Sequence, residues 1–168
     1  NHIQGNHSAT MTYGLHYDGV LVALMSFIKS RYDSQKQWEL LRYCSLRGMN
    51  VVGGASKLFA AFRRDQNPDN VVSYCDLRWG SGGVYQQLGF KYSHTSNPNY
   101  FYFKRSGDTN KLYSRVQFQK HKLAEVLEEF DPSLTEWENM RTNGYDRIWD
   151  CGNSVWHWVN PMLPVAQV

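Results

Sequence analysis

The stretch "WELLRYCSLRGMNVVGGASKLFAAFRRDQNPDNVVSYCD", residues 38–76, restricts the fold more than any other part of the chain. A strand candidate (38–46) runs into a turn carrying Gly53 and Gly54. An amphipathic helix follows at once, with Leu58, Phe59, Ala61 and Phe62 at helical spacing. "NPDN" ends that helix, and "VVSYCD" (71–76) reads as another strand. A helix with one apolar side between two strands needs a sheet to cover it, so the chain belongs to the α/β class.

The flanking segments extend the sheet. "MTYGLHYDGVLVALMSF" (11–27) reads as a hairpin around Asp18-Gly19, the dipeptide suited to a tight turn with positive φ angles. Its second arm is nearly continuous in apolar residues, as for a strand covered on both faces. In 38–46, strict alternation puts Glu39, Leu41 and Tyr43 on one face and Leu40, Arg42 and Cys44 on the other. "GVYQQLGF" is a short helix ended by Gly89, and "FKYSHT" and "NYFYFK" are two further strands. Residues 1–104 are therefore expected to form one domain on a mixed sheet. An appendage is expected over 105–160, with 161–168 a loosely held tail. In the appendage, "YSRVQFQKHKLAEVLEEF" reads as a helix and "DPSLTEWENM" as a second, with Thr135 and Glu138 spaced as a capping box. "YDRIWDCGNSVWHWV" reads as a hairpin around "DCGN".

Composition narrows the function classes. The 168 residues are 42% hydrophobic, enough for a packed core, and no stretch has the length of a membrane span. A net charge of +3 permits nucleic acid without pointing to it. Cys44, Cys75 and Cys151 form no metal-ligand spacing with the histidines and read as buried thiols of a reducing cytosol; no metal is expected. The opening "NHIQGNHSAT" resembles the middle of a loop, so a piece of a longer protein is expected.

The glycine turn is the first candidate site. A turn that leaves a strand and opens a helix exposes amides without intrahelical partners at the positive end of the helix dipole, a setting suited to phosphate. The spacing is neither G-x-x-x-x-G-K-[ST] nor G-x-G-x-x-G, so a simple tight turn is an equal alternative. The second candidate is Asp76 with Arg78 and Trp79, which leave the carboxyl end of a strand together, Arg78 and Trp79 being expected to contact DNA. The third is basic and aromatic: Arg115, Lys120, Lys122 and Arg147 suit phosphates, with tryptophans for stacking on bases. Against it, Trp149, Trp156 and Trp158 also read as core residues, and the basic face as a solvated one. No acidic pair with a following lysine supports nuclease chemistry in this chain.

The order of elements, with "NVVGGA" and "VYQQLGF", resembles the GNAT acetyltransferases. That resemblance implies acetyl-CoA as cofactor, with Asn50, Val52, Gly53, Gly54, Ala55 and Ser56 around its pyrophosphate. Asn50 stands where the family usually has Gln or Arg. It also implies Tyr85 as the acid for the leaving thiolate, with Glu39, Asp76 or His2 as base. Within that group, His2, Arg42, "SYCD" with Asp76, and Tyr85 resemble the hallmarks of the Mom-like enzymes that modify adenines in phage DNA.

"NHIQG", "VGGASKLF", "DLRW", "NPNYFYF", "FQKHKL" and "GYDRIWDCGN" resemble a domain that follows a Vsr-type nuclease in phage homing-endonuclease-like proteins, over residues 1–159. The resemblances imply double-stranded DNA as partner, a nuclease domain on the same parent chain, and the cytoplasm of an infected bacterium. The expected fold is a GNAT-like, mainly antiparallel mixed sheet flanked by helices, lacking its first strand and helices, with a helix-helix-hairpin appendage. A DNA-directed acyltransferase, a non-catalytic DNA-binding module, and an acetyltransferase for a small amine or protein all remain open.

Overall fold

The computed structural model describes residues 8–107 and 110–162. His2, and the tail from residue 163, lie outside the described residues. The described residues divide into two compact units, one within 1–96 and 153–168 and the other within 97–152.

The first unit is built on a six-stranded sheet. β1 (Met11–Tyr17) and β2 (Val20–Lys29) form the expected hairpin, with Asp18 at φ 48° and Gly19 at φ 76° in its turn. β3 (Trp38–Ser45) pairs antiparallel with β2. The glycine turn then leads into α1 (Gly54–Gln66), which returns the chain to β4 (Asn70–Asp76), parallel to β3. α2 (Gly83–Gln87) ends at Gly89, in the left-handed region at φ 83°, before β5 (Lys91–Thr95). The final strand of the sheet, β9 (Asn153–Val159), lies between β4 and β5 and pairs antiparallel with both. The order is β1-β2-β3-β4-β9-β5, and only the β3/β4 pair is parallel. The protein thus has the mixed, mainly antiparallel α/β fold expected of it.

α1 covers one face of this sheet through Leu58, Phe59 and Phe62, the apolar stripe read from its spacing. Phe62 stacks on Phe27 with ring centroids 3.6 Å apart, and meets Trp38 edge-on at 5.5 Å. Trp156 and Trp158 of β9 are buried in the same cluster. Full burial of such side chains contributes about 2 kcal/mol each, so α1 is held by its aromatic face.

The second unit carries a three-stranded antiparallel sheet in the order β7-β6-β8, from β6 (Tyr100–Lys104), β7 (Tyr113–Ser114) and β8 (Tyr145–Trp149). A one-turn α3 (Leu123–Val126) and α4 (Glu136–Thr142) accompany it. Its core is Tyr102, Phe118, Leu123 and Met140. The capping box of α4 is present, with the Thr135 hydroxyl accepting from the Glu138 amide and the Glu138 carboxylate accepting from the Thr135 amide.

Three expectations differ from the structure. The boundary at 104/105 is not where the units divide, because β6 belongs to the second sheet and β9 to the first. The "DCGN" segment is not a hairpin turn: β8 pairs with β6, while β9 inserts into the large sheet, where Trp156 and Trp158 find an apolar face. The helix expected over 113–130 is replaced by β7, two 3-10 turns (Arg115–Phe118 and Lys120–Lys122) and α3. Gln119 between those turns is extended, at ψ 141°, and burial of Phe118 and Leu123 overrides weak helical preferences.

Candidate functional site

The register of the parallel pair creates the site. β3 and β4 are joined only at Trp38–Val71, Glu39–Val72 and Leu40–Ser73. Beyond that point both strands continue, β3 to Ser45 and β4 to Asp76, without pairing to each other. The Ser73 hydroxyl donates to the Leu40 carbonyl at 2.8 Å, closing the last joined position. At the same place β3 is bulged: Ser26 pairs with Arg42 and Phe27 with Leu40, leaving Leu41 without a partner on β2. A bulge bends its strand and raises its twist.

The bulge also reverses the alternation read from the sequence. Tyr43 packs against the same cluster as Trp38 and Leu40, not on a face with Glu39, because one extra residue intervenes. That phase shift brings Tyr43 to the glycine turn. An ideal Cβ on Gly54 would lie 2.9 Å from the Tyr43 hydroxyl oxygen and 3.0 Å from a Val51 methyl.

The turn itself has the properties of an anion cradle. Gly53 adopts φ 70° with open space where a side chain would stand. The Gly54 amide bonds the Val51 carbonyl, whereas the amides of Val52, Gly53 and Ser56 have no protein acceptor among the described residues. No acidic residue sits in the first turn of α1, so its positive dipole end is uncompensated by side chains. Asn50 is exposed at the entry to the turn.

Where the strands part, a cleft of about 180 Å³ opens, lined by Leu41, Arg42 and Tyr43 from β3, Tyr74, Cys75 and Asp76 from β4, and Trp79, Val84 and Tyr85 beyond it. Arg42, Asp76, Trp79 and Tyr85, all singled out from the sequence, therefore share one cavity. Sequence reasoning missed Tyr43, Tyr74 and Cys75. No periodic signal marks them, because the bulge that places Tyr43 leaves the residue pattern unchanged.

The cleft is poor in free charge. Arg78 clamps Asp76 with Nη2–Oδ2 at 2.6 Å and Nε–Oδ1 at 3.0 Å, and this side-chain contact holds the carboxyl below its usual 3.8. Burial pushes the Tyr85 phenol up from 10.0, with the Ser73 hydroxyl partly opposing, so its oxygen stays protonated at neutral pH. The Tyr85 hydroxyl donates toward the Tyr74 carbonyl at 3.5 Å. Burial likewise raises the Cys75 thiol, which donates to the Gly80 carbonyl at 3.3 Å.

Glu39 lies at the joined end of the pair rather than on the cleft wall. It is 3% exposed and held by Arg31 through two contacts, at 2.6 and 3.1 Å. His2 lies outside the described residues. Arg115, Lys120, Lys122 and Arg147 all belong to the second unit, and no single helix carries the first three. Among the described residues no cluster of three His, Cys, Asp or Glu side chains is arranged for a metal ion. No helix there is long and apolar enough to cross a membrane.

Fold and site together define a mixed α/β protein with a parted parallel strand pair and a glycine turn of unpartnered amides beside the parting. No family model and no curated protein matches the sequence. Among solved structures, the chain is similar to a Bacillus subtilis acetyltransferase in complex with CoA, at 13% identity over 89% of this chain and 76% of that one, TM-score 0.47. It is also similar to a GNAT-family acetyltransferase from Bacillus anthracis, at 10% identity over 88% and 65% of the two chains, TM-score 0.42.

Proposed function

We propose that the chain binds acetyl-CoA across the glycine turn and the β3/β4 parting, and transfers an acyl group to an amine of DNA. The observation that carries this reading is the juxtaposition of three unpartnered amides, at Val52, Gly53 and Ser56, with a cleft that opens at the unjoined ends of β3 and β4. The amides and the dipole of α1 suit a pyrophosphate, and the open space over Gly53 admits it. The parted strands suit an extended thioester arm. Bound there, acetyl-CoA supplies an activated acyl group.

The chain's own residues take the following parts. Val52, Gly53 and Ser56 hold phosphate oxygens, with Asn50 at the entry and Ala55 and Gly54 shaping the turn. Tyr85 keeps its proton on the cleft wall and would give it to the departing sulfur, while the proton released by the acylated amine passes to solvent water. Arg42, Trp79 and Asp76, the last clamped by Arg78, line the space left for the acceptor. Both Asp76 oxygens are engaged by Arg78, and Glu39 is bound to Arg31 away from the cleft wall, so neither carboxylate is free to take the amine's proton. That suits an amine already neutral at working pH, such as an exocyclic nucleobase amine, better than a protonated lysine.

The Mom-like character, the phage setting, the infected-cell cytoplasm and the attached nuclease domain belong to the same proposal and rest on the sequence phrases quoted above. A non-catalytic DNA module is the second reading, favoured by the large side chains of Trp79 and Tyr85 in the cleft.

Calorimetric titration of acetyl-CoA into the chain, with Gly54→Glu as control, tests the cofactor. Binding that the variant loses supports the cradle; absence of binding removes the acyltransferase reading. Mass spectrometry of nucleosides from DNA incubated with chain and acetyl-CoA tests the acceptor. An unmodified nucleoside pool alongside acetylated polyamine would shift the reading to a small-amine enzyme.

A further inference from the structure

The second unit contains a guanidinium without a counter-ion among the described residues. Arg147, on β8, has its Cζ 3.9 Å from the centroid of Trp137, 5.0 Å from Tyr100 and 5.8 Å from Trp149. Among the described residues no carboxylate pairs with it, and no side-chain or carbonyl acceptor takes its N–H groups. Its neighbour Asp146 is turned to the backbone, accepting the Arg147 amide at 2.8 Å. The Glu136 carboxylate of the cluster is already shared by the hydroxyls of Tyr100 and Tyr102 and by Arg115. Arg147 is thus fixed in place by ring faces while its hydrogen-bonding edge remains unused. A guanidinium held in this way is a preorganised donor for phosphate.

Trp149 stands beside it. Its ring meets Tyr100 at 4.8 Å in an edge contact, and the residue is 56% exposed. The hairpin expected from the sequence would have buried it; pairing of β8 with β6 leaves it at the end of a strand in the small sheet. Arg115 lies over Tyr100 at 5.2 Å on the same cluster. An exposed indole beside the Arg147 guanidinium, with Arg115 on the adjoining Tyr100 ring, has the composition of a nucleotide platform: the ring stacks on a base, and Arg147 takes the adjoining phosphate.

We infer that Arg147, Trp149, Tyr100 and Arg115 form a binding surface for unpaired nucleotides of single-stranded nucleic acid. A base in a duplex has both faces covered by its neighbours and offers none to an indole, so the exposed ring selects unstacked bases. The inference deepens the DNA part of the proposed function and is independent of the CoA cleft, all of whose lining residues lie in the other unit.

Fluorescence anisotropy of a labelled oligothymidylate, with its duplex on oligodeoxyadenylate as the comparison, tests it on the full chain at low salt. The single strand is expected to bind more tightly than the duplex. Trp149→Ala is expected to weaken it about tenfold, from the loss of one stacked base. Arg147→Lys keeps the charge but not the planar stack, and is expected to weaken binding severalfold. Unchanged acetyl-CoA titration and unchanged thermal unfolding of both variants exclude a general loss of structure. Wild-type affinity for the single strand in both variants overturns the inference. Duplex binding that neither substitution affects would also overturn it, while leaving the DNA-directed reading in place.

Discussion

Replacing Gly54 by alanine sets two known effects against each other. Gly54 opens α1 and is absent from the positive-φ glycines, so alanine there is conformationally permitted and favours the helix by up to about 1 kcal/mol. The new Cβ, however, would stand 2.9 Å from the Tyr43 hydroxyl oxygen and 3.0 and 3.2 Å from two Val51 carbons. Overpacking at a buried position costs about 1–3 kcal/mol, and Tyr43 is packed against the core and cannot simply swing away. We expect Gly54→Ala to destabilise by about 1 kcal/mol, the packing cost exceeding the helical gain.

Tyr43→Phe alone removes the oxygen that would stand 2.9 Å from the new Cβ, and is expected to cost well under about 1 kcal/mol. In the double variant the tightest contact no longer exists. The sum of the single losses should then exceed the measured one by about 1 kcal/mol, the sign of direct contact in a double-mutant cycle. Urea unfolding of the four proteins at neutral pH measures this. Losses that add within about 0.4 kcal/mol would refute the argument that Tyr43 fills the space over Gly54. The same proteins, titrated with acetyl-CoA, show whether the hydroxyl matters to the cradle as well as to the fold.

Gly82 is at φ 85°, and a Cβ there would lie 2.5 Å from three atoms of the Trp156 ring. Gly82→Ala is therefore expected to destabilise by about 2–5 kcal/mol in urea unfolding, and a wild-type midpoint would contradict the packing described. Burial, with smaller effects of Lys36 and His94 opposed by Asp33, holds the His157 imidazole below its usual 6.5. The unfolded chain then takes up that proton first, so the contribution is complete above about pH 6.5 and is lost as pH falls through the lower folded value. His157→Gln should flatten that part of the stability–pH curve, and an unchanged slope would exclude the effect. Glu136→Ala leaves the fully buried Tyr102 without its 2.8 Å acceptor, at a cost of about 1–3 kcal/mol, whereas Glu136→Gln keeps an acceptor and should cost less. Equal losses in thermal unfolding would mean that charge, not the hydrogen bond, holds the site.

The sequence by itself determined the features that nearest neighbours decide. Asp18-Gly19 specifies its turn because those residues adopt positive φ at small cost, and the structure shows both doing so. The stripe of Leu58, Phe59 and Phe62 specifies α1 and its buried face, and Thr135 with Glu138 specifies the start of α4. The nearness of Asp76, Arg78 and Trp79 to one another also followed from adjacency and a single strand end.

Tertiary structure alone decided which sheet each strand joined. β8 and β9 are separated by three residues with good turn chemistry, yet pair in different sheets, because β9 buries Trp158 against α1 and Trp156 against Tyr85 while β8 matches β6. The bulge at Leu41 was equally invisible, since it is a property of the register between two strands. Through that one offset Tyr43 reaches α1, and at the same point the joined length of β3 and β4 ends, opening the cleft that gathers Arg42, Asp76, Trp79 and Tyr85. Local propensity acts over a few residues, whereas strand pairing compares segments far apart in the chain, and that comparison placed the site.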